Sequence, residues 1–176
     1  MHSRDLIARV AQYNVEVLEQ ALVLLNWFSA PDRAARYGTG VGPHFRHLIE
    51  HYEQFFEGMG ERVLDYDERR RDGTVEVDVA VARARFAAVI ERLWKFSASD
   101  AIPDTIAVLL CGGLDGAERF VTASTPSREL VFLASHAVHH YAIIKPLLIE
   151  EGCPLPRDFG KAPATIHHER DSMQVA

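Results

Sequence analysis

His136 and His140 stand four residues apart in a stretch, residues 130–144, that is otherwise largely apolar. At about 100° per residue, a helix here lines up Phe132, Leu133, Ile143, Ile144 and Leu147 on one stripe. His136 and His140 then point along its middle, roughly 40° apart, while His139 turns toward its edge. An imidazole without a partner costs free energy to bury, so such positions ordinarily go to Leu, Ile or Val. A lone histidine there is accounted for by a hydrogen bond to backbone. Two of them one turn apart can bind a single metal ion, and the pair reads as part of a metal site.

Three protein ligands around a tetrahedral ion leave one position open for water or substrate. A third ligand must then come from another element. Residues 42–53 offer three histidines, His44, His47 and His51. The apolar arc of a helix over this segment is set by Phe45, Leu48, Ile49, Tyr52, Phe55 and Phe56. His44 and His51 border that arc, whereas His47 lies further round toward the polar side. Periodicity alone prefers His44 or His51.

Four helical segments are expected to position these residues. They cover residues 5–28, with Ser3 as N-cap, 43–59, 77–97 and 126–150, the last with Thr125 as N-cap and a kink at Pro146. Residues 64–76 read as a charged loop. Short β-branched runs at 105–110 and 119–122 flank Gly112-Gly113-Leu114-Asp115-Gly116 and read as a small hairpin. The Pro- and Gly-containing stretch after Gly152 reads as an extended tail. The expected fold is all-α, a four-helix bundle over residues 1–152 with a hairpin insertion between helices 3 and 4. Residues 153–176 form an extended C-terminal tail packed on the bundle.

At 176 residues the chain is long enough for one domain with a sizeable core. Its net charge of −6, with acids and bases interspersed, argues against nucleic acid as a partner. The Arg69-Arg70-Arg71 run is too short and too closely flanked by acids to change this. No apolar run approaches the ~20 residues that span a bilayer, so no membrane partner is expected. Cys111 and Cys153 form no C-x-x-C pair, and the N-terminus lacks a signal-peptide pattern, so a cytoplasmic location is expected.

Gly42, His47 five residues on, then Leu48, Glu50 and Glu53 resemble the helix-two signature of the DinB-like (YfiT-related) superfamily. His136-x-x-His139-His140 resembles that superfamily's second signature. The resemblance implies a four-helix bundle in which three histidines bind a divalent metal, zinc or nickel first, with iron or manganese as further candidates. Carried over residue by residue, the ligands are His47, His136 and His140. His44 and His51 then either border the site or are simple surface histidines, and His139 is expected to donate a hydrogen bond near it rather than ligate. The resemblance also implies a metal-dependent enzyme, a thiol-dependent transferase or hydrolase acting on a small molecule with a low-molecular-weight thiol as partner. The alternative is a non-catalytic metal-binding or stress-associated protein. Homodimers are common among such proteins.

No catalytic residue follows from the pattern. Glu50, Glu53 and Tyr13 are candidates for an acid or base, and Asp67 and Arg69 for closing over the pocket and reading an anionic substrate. The sequence departs from the superfamily after His140, where Tyr141-Ala142-Ile143 replaces a small residue and a glutamine or glutamate. A carboxylate di-iron centre is excluded because no glutamate has a histidine three residues later. His-Glu-x-x-His is absent as well.

Overall fold

A computed structural model describes residues 3–174. Helix α1 (Ser3–Phe28) buries Val10, Leu18, Ala21, Leu25 and Phe28 at helical spacing. It starts at Ser3, but that side chain, and with it the expected cap, lies outside the described residues. Pro31 opens a short helix, α2 (Pro31–Arg36), which passes through a π-helical turn (Tyr37–Val41) into α3 (Gly42–Glu61). Strand β1 (Val63–Asp65) follows, then α4 (Thr74–Val77) and α5 (Val79–Ser97). Asp78 caps α5 by accepting from the amides of Ala80 at 2.8 Å and Val81 at 3.1 Å. Strands β2 (Ile106–Gly112) and β3 (Glu118–Ser124) lead to α6 (Pro126–Glu150), whose N-cap Thr125 accepts from the Arg128 amide at 3.2 Å. The last helix is α7 (Pro163–Gln174).

Helices α1, α3, α5 and α6 surround one core. α1 packs against α5 and α6, and α3 against α4, α5 and α6. Phe28, Tyr37, Phe45, Phe86 and Tyr141 meet edge to face or tilted at its centre, all fully buried. Each such side chain contributes about 1.5–3 kcal/mol by leaving water. A buried polar knot fixes the relation of three helices. Asn14 of α1 donates to the carbonyls of Val10 at 2.8 Å and Leu130 of α6 at 3.0 Å, and it accepts from the Tyr52 hydroxyl of α3 at 2.7 Å. Gly42 sets how closely α4 approaches, since a Cβ there would lie 1.9 Å from the Glu76 carbonyl oxygen.

The expected all-α four-helix bundle with an extended tail is corrected in three places. The hairpin β2–β3 belongs to a three-stranded mixed sheet, ordered β1-β2-β3. In it β1 runs parallel to β2, Val63 opposite Ala107, and β2 runs antiparallel to β3, Ile106 opposite Ser124. The expected loop over 64–76 therefore contributes a strand, reached directly from α3 because Arg62 takes a left-handed φ of 57°. Finally, the tail is a run of turns and irregular backbone only as far as residue 162. Phe159 stacks on Tyr141 at 5.0 Å, and the twelve-residue α7 follows. Pro146 lies inside α6, which continues to Glu150. No described helix is long and apolar enough to cross a membrane.

Candidate metal centre

The side chains of α6 that enter the core are Leu130, Leu133, Ala134, Ala137, Tyr141, Ile144 and Leu148. This face is rotated from the stripe read in the sequence, for Ile143 is exposed while Phe132 and Leu147 are half-buried. His136 and His140 consequently sit on the flank of the apolar face, half-buried. His47 occupies the corresponding flank of α3. The polar-side phase that set it apart in the sequence turns it toward the α6 flank and away from the core centre.

The nitrogens that His47, His136 and His140 can offer lie within 4.8 Å of one another. His47 Nε2 and His136 Nε2 are 3.0 Å apart. Two nitrogens bound to one tetrahedral zinc at 2.0–2.1 Å stand about 3.3 Å apart, so the rings need little movement to share an ion. Burial first, then the neighbouring imidazoles, lowers His47 and His140 to about 3. Burial first, with His139 and Arg69 adding, lowers His136 to about 4. At neutral pH the rings are therefore neutral and keep the lone pairs that coordination requires.

The neighbouring histidines take other parts. His51 is buried, and its Nδ1 meets the His47 carbonyl oxygen at 2.7 Å, one turn back along α3. That bond assigns the proton to Nδ1 and leaves Nε2 as an acceptor toward Arg69 Nη1, 3.4 Å away. The His51 ring stacks on Tyr66 at 5.3 Å, and the Tyr66 hydroxyl donates to the buried Glu129 at 3.0 Å. This packing holds α3 to the beginning of α6. His44 meets His140, Nδ1 to Nδ1, at 2.8 Å. His139 is exposed.

The remaining candidates lie elsewhere or are engaged. Glu53 is paired with Arg85, and Glu50 accepts the Asp72 amide at 2.6 Å. Tyr13 lines a groove between α1, α6 and the start of α7. Asp67 accepts the Cys111 amide at 2.7 Å, which ties the loop after β1 to β2. Arg69 of the same loop reaches the rim of the histidine cluster through His51. Arg69 is the functional candidate that only the tertiary structure sets beside the histidines. Its one signal in the sequence is a basic residue in a loop rich in acids.

No family model matches the chain, and no solved structure matches it. The chain is similar to a curated protein named FK506-binding protein 5 from Rhizopus delemar, 34% identical over 111 residues. The match covers 60% of this chain and 27% of that protein, so the chain spans about a quarter of the length of the curated relative it matches. These findings overturn the DinB-like assignment, because the relative bears a different name and no family model supports that superfamily. With it fall the DinB-like type given to the fold and the function drawn from it, both the thiol-dependent transferase or hydrolase and the stress-associated alternative. What remains of the site rests on the geometry of the three histidines, and the named likeness of the chain is to FK506-binding protein 5 over part of its length.

Proposed function

We propose that this chain binds a divalent metal ion through His47, His136 and His140. One observation carries the reading: three neutral imidazoles from two helices bring their nitrogens within 4.8 Å of one another. An all-imidazole donor set suits zinc and nickel, and iron or manganese less well. Three protein ligands leave room for a small ligand on the ion. A cytoplasmic location belongs to the same proposal, supported by Cys111 and Cys153 both being free thiols. The test is elemental analysis of protein purified without a histidine tag, followed by calorimetric titration of the chelated protein with zinc and nickel. One ion per chain is expected. Failure to bind either ion, or full binding by H136A, overturns the proposal.

The likeness to FK506-binding protein 5 supports a second reading, that this chain binds the ligand for which that relative is named. A groove of about 470 Å³, within the size range of small-molecule sites, lies between α1, α6 and α7. It is lined by Tyr13, Val131, Ser135, Val138, His139 and Pro163 among others. Calorimetric titration with FK506 tests this, and binding abolished by Val138→Asp is the expected result. No heat of binding at the highest soluble concentration would dismiss it.

A further inference from the structure

Arg69 is half-buried, and its Nε is buried without a hydrogen-bond partner. Nη1 donates to the Tyr66 carbonyl and approaches His51 Nε2 at 3.4 Å, so the guanidinium is held against the cluster. The acids that act on it electrostatically are Asp67 and Glu50. Neither bonds the guanidinium: Asp67 accepts the Cys111 amide, and Glu50 accepts the Asp72 amide through Oε1 while its Oε2 lies 3.7 Å from Arg46. Among the described residues, no carboxylate forms an ion pair with Arg69, although Arg46, Arg70 and Arg85 nearby all have one. The histidines cannot balance its charge, because an imidazole is neutral or cationic and never carries a negative charge. A divalent ion on His47, His136 and His140 would add two more positive charges to this partly desolvated corner. Asp67 and Glu50 offset the guanidinium only at a distance, and the added charge of an ion favours an anion in direct contact.

We propose that Arg69 and the metal ion together bind a small oxyanion, a carboxylate or phosphate group that takes the remaining position on the metal and accepts hydrogen bonds from the guanidinium. This rests on the metal-binding reading above and names the ligand class of that site. Guanidinium is the side chain best matched to such groups, offering planar, paired donors. The relation between the two ligands must be reciprocal. A bound oxyanion relieves the repulsion between Arg69 and the metal, so each ligand tightens the other by the same factor.

The test uses the full chain loaded with nickel, its metal content fixed beforehand by elemental analysis, and titrated with acetate and with inorganic phosphate. Wild type is expected to bind one of the two. The tighter arm decides between a carboxylate and a phosphate source. The same anion should raise nickel affinity in wild type. In R69Q the anion should bind about ten- to a hundredfold more weakly, and nickel at least as tightly as in wild type, since a repelling charge is gone. R69K keeps the charge and should fall between them. Nickel bound by wild type with neither anion binding, or with equal anion affinity in R69Q, overturns this inference while leaving the metal site standing. Absence of nickel from wild type overturns both, and the elemental analysis identifies that case before any anion is added. The coupling in wild type needs no variant, so poor folding of R69Q does not protect the inference.

Discussion

His51 turns its Nδ1 back to the carbonyl oxygen of His47, 2.7 Å away and one helical turn earlier. The residue that helix phase favours as a ligand is thereby directed to its own backbone, and its second nitrogen faces Arg69 at 3.4 Å. What His51 does for the cluster is hold the backbone of His47 and carry the stack on Tyr66.

His47→Ala, His136→Ala and His140→Ala should each abolish metal retention, whereas His51→Phe should weaken it only about tenfold, the scale seen when a supporting group is lost. His44→Ala, losing the contact with His140, should behave like His51→Phe. Metal content after dialysis against a weak chelator ranks the five variants. Loss in His51→Phe as complete as in His47→Ala would contradict this division.

The metal-free protein should lose stability as pH falls. His47 and His140 are lowered to about 3 and His51 and His136 to about 4 in the folded chain, from the ordinary value near 6.5, chiefly by burial. The unfolded chain therefore binds more protons than the folded one between pH 6.5 and about 3. Stability contributed by these rings is fully present above 6.5 and declines through that interval. Urea denaturation of chelated protein from pH 8 downward measures it. A variant with all four replaced by Gln should show a shallower decline between pH 6.5 and 5, where carboxylates contribute least.

Gly42→Ala should destabilise the fold by about 1–3 kcal/mol or more, the scale of overpacking. Its new methyl would meet the Glu76 carbonyl oxygen at 1.9 Å, a backbone atom that cannot swing aside as a side chain could. Gly60→Ala, where a Cβ meets nothing within 4 Å, is the control and should be neutral or slightly stabilising. Chemical denaturation midpoints compare the two.

Tyr66→Phe should cost about 1–2 kcal/mol, because it removes one partner of the fully buried Glu129 carboxylate. Ser124 and Arg128 still reach the other oxygen, which limits the loss. The ring, and with it the stack on His51, is kept. Metal affinity should therefore change less than in His51→Phe, and a larger loss of metal than of stability would show the hydroxyl acting on the site.

The pair on α6 could be read because an i, i+4 spacing of histidines survives any error in helix phase. His47 could not be chosen by phase, for a helix that touches several neighbours has no single buried stripe. α3 faces α4, α5, α6 and β1 on different sides, and the flank that looks polar in projection is the one beside His136. The resemblance that selected His47 has since lost its support, so the triad now rests on geometry alone. Strand β1 escaped notice because it is three residues long and pairs in parallel with Ala107–Leu109, far along the chain. α7 left no pattern to read, since most of its residues are exposed and it has almost no apolar face. Arg69 was visible as a charge, but that Asp67 and Glu50 bond the Cys111 and Asp72 amides instead of the guanidinium depends on the tertiary fold.

His47 and His136 are 89 residues apart in sequence and 3.0 Å apart in the folded chain. Closing a loop of that length belongs to late assembly, after local helices have formed. A donor set divided in this way does not exist in the unfolded chain or in its early intermediates. An ion bound there would slow the opening of the protein far more than it hastens closing, so its benefit would be measured in native-state lifetime. The place where two helices meet would then govern how long the molecule persists.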